Sequence, residues 1–230
     1  MKVNVPAVFG CVALLCAFAT AATRSSALMV ERAVELPAPS EASPPAQGIQ
    51  SVVFAGGCFW GVQGVFAHVK GVKSAVAGYA GGAAGTAHYD LVSTGTTGHA
   101  EAVRVVYDAT QVDYSTLLRM FFSVVADPTS LNYQGPDHGP QYRTAIFPST
   151  DAQRAITRRY IDELNRSKIW SKPIVTRIEA GSFYPAESYH QNYLTRHPDA
   201  PYIRINDLPK VTALKRLFPS YYRSQPALVS

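Results

Sequence analysis

The chain has 230 residues, 47% of them hydrophobic, which suits one folded domain with appendages and excludes a wholly disordered protein. Its 21 Lys and Arg against 16 Asp and Glu give a net charge of +5 without any run of like charges, so nucleic-acid binding is not expected. The three cysteines, Cys11, Cys16 and Cys58, are too few for a disulfide-dense scaffold or a Cys-rich structural zinc site.

The first segment, residues 1–22, reads as a signal peptide. Lys2 provides a positive start, Val5 to Ala22 is uncharged and apolar, and Ala19-Thr20-Ala21 is a small-x-small cleavage site followed by Arg24. An exported protein, periplasmic or secreted, is therefore expected. If the segment stayed uncleaved it could tether the chain, since about 18–20 apolar residues span a bilayer. A lipoprotein signal would need a cysteine directly after the apolar run, and Cys11 and Cys16 both fall inside it. Residues 23–50 read as a Pro/Ala-rich flexible linker, because the prolines at 37, 39, 44 and 45 can neither join a ladder nor continue a helix. A short helix is expected at its start, over Ala27 to Leu36. Residues 51–219 form the folded domain and 220–230 a tail.

Within the domain, Ser51 to Ala55 is a buried strand, broken by Gly56-Gly57. Apolar Phe59, Val62, Phe66 and Val69 recur at helical spacing. Val72 to Tyr79 is a strand, and a Gly-, Ala- and Thr-rich loop runs to Gly98. Glu101 to Tyr107 alternates strictly as a strand, and Tyr114 to Val125 is an apolar helix. A loop over Asp127 to Gln141 precedes a strand at Arg143 to Phe147, a helix at Asp151 to Lys168, a strand at Ile174 to Glu179 and a short helix at Ala186 to Arg196. The last stretch, with Pro198, Pro201, Pro209 and Pro219, is expected to be mostly irregular. The elements alternate without a clean βαβ repeat. We therefore expect an α+β fold, a two-layer sandwich of helices on a mixed β-sheet with a ferredoxin-like plait core and an irregular C-terminal region.

Cys58 stands where a strand gives way to a helix. The free N–H groups and partial positive charge of a helix N-terminus favour a thiolate, so Cys58 is a candidate nucleophile; a small buried hydrophobe is the commoner fate of a lone cysteine. Phe59 and Trp60 could wall an apolar site, or one of them could be core. Period two puts Glu101 on one face with Val103, Val105 and Tyr107, and Arg104 on the other. A carboxyl on an apolar face gains a raised pKa and becomes a candidate acid, unless it reaches solvent from the strand end. The loop 135–142, with Asp137 and Tyr142, could join Tyr89 in offering hydroxyl donors, or could be an ordinary surface turn. His99, His138 and His190 match no metal-ligand spacing, and no metal is expected.

Gly57-Cys-Phe-Trp-Gly61 resembles the signature of the peptide methionine sulfoxide reductase A family. Gly78-Tyr-Ala-Gly-Gly82, Gly98-His-Ala-Glu-Ala-Val103, Asp127-Pro-Thr129, Asp137-His-Gly139 with Gln141-Tyr-Arg143, and Ala186-Glu-Ser-Tyr-His-Gln-Asn-Tyr193 resemble further family segments in family order. The resemblance implies reduction of the S epimer of methionine sulfoxide, free or in proteins, without a cofactor. It implies Cys58 as nucleophile, Phe59 and Trp60 as the wall around the substrate methyl, Glu101 as acid, Tyr89 and Tyr142 as hydroxyls on the sulfoxide oxygen, and Asp137 as a further lining residue.

One feature departs from many relatives. Leu194 to Ser230 holds no cysteine, so no resolving cysteine follows the nucleophile. Attack of the Cys58 thiolate on sulfur would leave a sulfenic acid, and an external thiol, a thioredoxin-like protein or a small thiol, would have to reduce it. A monomer is expected. Two other readings stay open: a thiol peroxidase-like enzyme using Cys58 on peroxides, and an exported module that binds oxidised methionine without turning it over.

Overall fold

The computed structural model describes Met1, residues 33–41, Ser43 and residues 47–229. The signal peptide expected over residues 1–22 lies, but for Met1, outside the described residues. In chain order the elements are β1 (Ile49–Gly56), α1 (Phe59–Ala67), β2 (Val72–Ala80), α2 (Tyr89–Val92), β3 (Ala100–Asp108), α3 (Tyr114–Met120), β4 (Tyr133–Gln134), β5 (Asp137–His138), β6 (Thr144–Pro148), α4 (Asp151–Ser167), β7 (Arg177–Ile178), β8 (Phe183–Pro185), α5 (Tyr193–Arg196) and α6 (Leu208–Leu217).

The main sheet runs β7-β6-β1-β3-β2-β8, and β4 and β5 form a separate hairpin. The β6–β7 pair is parallel and the others are antiparallel, so the sheet is mixed. Its four longer strands, β6-β1-β3-β2, take chain order β1-α1-β2-β3-α3-β6, the ferredoxin-like plait. Alternation along the strands decides what each face carries. Val52 and Phe54 of β1 and Val103, Val105 and Tyr107 of β3 enter the large core under α1, α3 and α4. Val53, Ala55, Ala100 and Ala102 face the other way into a smaller cluster with Phe147. In the large core Phe54 is stacked between Phe66 and Phe121, with centroids 4.9 and 5.0 Å away. Two helices, α3 and α4, are capped by polar side chains: Asp113 accepts from the Thr116 amide, and Thr150 from the Gln153 amide.

Three expectations are corrected. The C-terminal region is not irregular. From Pro201 the chain is helical to Leu217, with a wider π turn at Ile203–Asp207 before α6. Pro201 opens this helix, where a missing N–H costs nothing, and Pro209 follows the π turn at the start of α6, so neither proline prevents the helix. Conversely, the helix expected over 186–196 is broken. Asn192 is left-handed at φ 56, which leaves a 3₁₀ turn at Ser188–His190 and the single-turn α5.

The third correction concerns the linker. Residues 33–41 and Ser43 lie against the domain, not free of it, and of the helix expected over Ala27 to Leu36 the described part, Ala33 to Leu36, is not helical, the rest lying outside the described residues. Leu36 is 1% exposed and belongs to the core. The segment is pinned by Val34 N to Ser123 O (2.9 Å), Arg119 Nε to Leu36 O (2.6 Å), Tyr160 Oη to Pro37 O (2.7 Å) and Ser43 to Ser115 (2.8 Å). Its prolines leave a carbonyl with no local N–H partner, and α3 and α4 supply side-chain donors instead. Smaller differences are the short β7 in place of a strand over Ile174 to Glu179, the β4–β5 hairpin inside the 127–141 loop, and α2 inside the 81–98 loop.

Candidate active site

The site begins with the bend between β1 and α1. Gly57 has φ +84, and a Cβ there would lie 2.5 Å from the Gln134 Cβ, so glycine is required both by conformation and by space. Gln134 is itself locked to Asp127, accepting from its amide at 2.9 Å and donating to its carbonyl at 2.8 Å. Cys58 follows as the N-cap of α1, buried at 9% exposure. Gly61, one position beyond Trp60, faces Asp207 of the C-terminal helix so closely that a Cβ would meet its Oδ1 at 2.2 Å.

Glu101 lies on the core face of β3, as its period predicts, and is 3% exposed. Its Oε2 accepts the Phe59 amide at 3.0 Å, which ties the carboxyl to the residue after Cys58. Burial raises its pKa to about 8 against the opposing pull of that amide, and the nearby carboxyls of Asp137 and Asp207 push the same way.

The Cys58 thiol departs from the expectation of a lowered pKa. Burial pushes it well above the ordinary value, and the carboxyls of Glu101 and Asp207 add to this. The Trp60 amide at the helix start does favour the thiolate, but it is outweighed. The helix effect operates, and desolvation is larger.

Over this buried floor of Cys58, Phe59 and Glu101 stand half-exposed Trp60, Tyr89, Asp137 and Tyr142. Tyr89, at the start of α2, and Tyr142, in a 3₁₀ turn at Pro140–Tyr142, both lie within electrostatic reach of Cys58 and Glu101. Burial raises the pKa of each phenol, so both remain hydrogen-bond donors at neutral pH. Tyr142 is held by its neighbour Arg143. That guanidinium binds Glu179 through two nitrogens at 2.8 Å and donates to Pro140 O at 3.0 Å and Gly98 O at 3.1 Å, joining three loops. Asp137 accepts the hydroxyl of Tyr202. Burial raises the Asp137 pKa, while Tyr202 and Lys210 oppose it.

Trp60 is fixed on three sides. It stacks on Tyr193 at 3.9 Å and 11°, meets Tyr202 edge-on at 5.9 Å, and donates from Nε1 to His190 Nδ1 at 3.2 Å. Accepting at Nδ1 leaves His190 as the neutral Nε2–H tautomer, and burial lowers its pKa in keeping.

All seven residues singled out in the sequence converge here. Sequence reasoning missed Tyr202 and Asp207, because the C-terminal stretch was read as irregular; the spacing of Leu208, Val211, Leu214 and Leu217 could have revealed the helix. It also gave no role to Glu187, His190 and Tyr193, which lie together in one quoted segment. Of the histidines considered for a metal, His99 bonds Gly82 and Ala83, His138 stacks on Tyr133 and His190 holds Trp60. Among the described residues no group of three or more His, Cys, Asp or Glu side chains is arranged to hold a metal ion.

A buried thiol beside a buried, protonated acid, under an apolar and phenolic wall, suits transfer of oxygen from a neutral polar group flanked by a methyl. Comparison with known proteins agrees. Residues 50–221 match the family described as peptide methionine sulfoxide reductase. The chain is 57% identical over 185 residues to peptide methionine sulfoxide reductase MsrA 2 of Mesorhizobium japonicum, covering 80% of this chain and 95% of that protein. It is 45% identical over 184 residues to the MsrA 2 of Synechocystis, covering 80% and 86%. In structure it resembles reduced Mxr1 of Saccharomyces cerevisiae (TM-score 0.60, 32% identity, 68% of this chain and 90% of that one). It also resembles methionine sulfoxide reductase A of Corynebacterium diphtheriae (TM-score 0.57, 32% identity, 73% and 85%).

Proposed function

The chain belongs to the peptide methionine sulfoxide reductase family and reduces methionine sulfoxide, and we propose from its site how each residue contributes. The sulfoxide methyl rests against Phe59 and Trp60. The oxygen receives hydrogen bonds from the Tyr89 and Tyr142 hydroxyls, with the Glu101 carboxyl beneath it. Asp137, held by Tyr202, borders the remainder of the substrate. The observation that carries this reading is the Glu101 carboxyl, 3% exposed, hydrogen-bonded to the amide next to Cys58 and protonated at neutral pH.

A sulfoxide oxygen is a poor leaving group until it is protonated. Glu101 gives it a proton as Cys58 Sγ bonds to the substrate sulfur, and the thiol proton passes to Glu101. The carboxyl therefore ends the step as it began, and the buried site gains no net charge. The sulfur–oxygen bond then breaks as hydroxyl moves to Cys58 Sγ, and the bond between Sγ and the substrate sulfur breaks with it. Methionine leaves, its sulfur reduced by two electrons, and Cys58 is a sulfenic acid, oxidised by two.

Once Cys11 and Cys16 leave with the signal segment, Cys58 has no internal partner, so an external thiol returns it to the reduced form: a thioredoxin-like protein or a small thiol forms a mixed disulfide, and a second thiol releases the enzyme. The S epimer, monomeric action and an exported location complete the proposal. The location rests on the apolar segment and small-x-small site before Arg24, and sequencing the N-terminus of the protein recovered from its host tests it.

The mechanism is tested by mixing reduced enzyme with excess substrate in the absence of thiol. One equivalent of methionine should form, and intact mass should show one added oxygen on Cys58. Cys58→Ser should form none. Methionine from that variant would refute the nucleophile, and more than one equivalent from the wild type would refute the need for an external thiol.

A further inference from the structure

We propose that Glu187 is a positioning residue for Tyr89, an inference that rests on Tyr89 holding the sulfoxide oxygen. Tyr89 belongs to a four-residue helix in a long loop rich in glycine, alanine and threonine. Such a loop has little to bury, and its intrinsic order is low. The far end of α2 is tied down, since Val92 is buried in the core and Ser93 O accepts from Gln141 Nε2 at 3.1 Å. The other polar contacts around it are local turns: Thr86 to Ala83, Ser93 to Asp90, Thr94 to Leu91. The start of α2, where Tyr89 stands, needs a tie of its own to the sheet.

Glu187 supplies that anchor. It precedes the 3₁₀ turn at Ser188–His190, about a hundred residues along the chain from Tyr89. Its Oε1 accepts the Tyr89 amide at 3.0 Å and its Oε2 accepts the Tyr79 hydroxyl at 2.8 Å. The first bond uses one of the N–H groups left open at the start of α2, where a carboxylate is favoured. The second reaches a rigid point. Tyr79 is fully buried on β2, sits directly across from Glu101 in the β2–β3 register, and packs its ring on Phe59 at 5.9 Å. One carboxylate thus joins the loop bearing Tyr89 to the strand pair bearing Glu101.

Glu187 is itself well braced. The segment that carries it is fastened by Ala186 N to Ala77 O at 2.9 Å and by Gln191, which binds Ala77 on both its amide and its carbonyl. The His190 ring lies 4.5 Å from that of Tyr89, so the same segment also supports the phenol from its side. Burial disfavours the Glu187 charge, but the Tyr89 amide, its own amide and the Tyr79 hydroxyl outweigh this and hold the carboxyl below its ordinary range, ionised at neutral pH. The groups facing it are Tyr79, Tyr89, Tyr189 and His190, and none carries a positive charge at neutral pH.

The test is a double-mutant cycle on the single-turnover rate of methionine formation, which recycling by thiol does not limit. Glu187→Ala should slow this step by roughly the hundredfold expected of a group displaced by an ångström, with a far smaller change in KM. Tyr89→Phe should slow it by about as much or more, and the double variant should be no slower than Tyr89→Phe alone. Glu187→Gln keeps one acceptor for the Tyr89 amide and an amide for Tyr79, and should retain most of the rate. Multiplying losses in the double variant would overturn the positioning role while leaving Tyr89 intact as a donor. An unchanged rate in Tyr89→Phe would instead overturn the reading on which the inference rests. If Glu187→Ala fails to fold, Tyr79→Phe, which cuts the anchor at its other end, should show the same non-additivity with Tyr89→Phe; independent losses there refute it.

Discussion

Glu101→Gln isolates the acid. With its carboxyl raised to about 8, about nine-tenths of the enzyme holds this proton at pH 7, whereas at the ordinary value of 4.5 only about one molecule in 300 would. The shift, led by burial, is therefore worth about 300-fold in competent enzyme at neutral pH, within the ~10²–10⁴ range of a lost general acid. Glutamine keeps the shape and can accept the Phe59 amide, but it has no acidic proton to give. The single-turnover rate of the wild type, followed by rapid quench from pH 6 to 9.5, should be level at the acid end and fall with a midpoint near 8. In Glu101→Gln the rate should drop by about two to three orders of magnitude and lose that limb. Stability should move the opposite way. A carboxyl raised by folding binds its proton more tightly in the native state, so its contribution is whole below 4.5 and is lost as pH climbs to about 8. The variant has no such proton to lose, so its unfolding free energy should gain on that of the wild type by a margin that widens from pH 5 to 8, up to roughly 5 kcal/mol. A wild-type limb that persists unchanged in Glu101→Gln, or a margin that does not widen, would refute the buried acid.

Leu36→Ala removes the apolar anchor of the docked N-terminal segment and should cost about 2–5 kcal/mol in urea unfolding, with the single-turnover rate unchanged; a loss under ~0.5 kcal/mol would show that the segment is not held. Gly57→Ala combines a φ of +84 with a Cβ 2.5 Å from Gln134, so it should destabilise the fold and slow methionine formation by displacing Cys58. Wild-type rate and stability in that variant would refute the strained bend.

The strands and the buried helices were legible because their hydrophobic period is set by the sheet on which they lie. Glu101 shows this well: the alternation through Val103, Val105 and Tyr107 by itself places it on the core face. The site was legible for a different reason. Cys58, Trp60, Glu101 and Tyr142 sit in short segments whose resemblance to a family is local in sequence. The missed parts are those that act through distance. Glu187 reaches Tyr89 and Tyr79 across about a hundred residues, and Tyr202 meets Asp137 over 65. The docking of Leu36 was hidden for a related reason. Prolines announce what a segment cannot bond within itself, and Arg119 and Tyr160, which bond it from outside, carry no signal of that in their own neighbourhood.

Two effects compete at Cys58, and their sizes decide how the thiol is used. A helix N-terminus typically favours an adjacent negative charge by about 0.3–1 kcal/mol, whereas full burial shifts an acid by up to roughly 3–5 pKa units, several times larger. The thiol therefore stays protonated, and the neighbouring carboxyls reinforce that state. A thiolate standing ready is not what this site provides. In the proposed mechanism a thiol and a carboxylic acid exchange protons with the substrate oxygen in one step, so that charge never builds up in a dry pocket. Oxygen protonation and loss of the thiol proton are then two halves of one transfer. The bond from Glu101 to the Phe59 amide, one residue from the nucleophile, keeps those halves at a fixed separation.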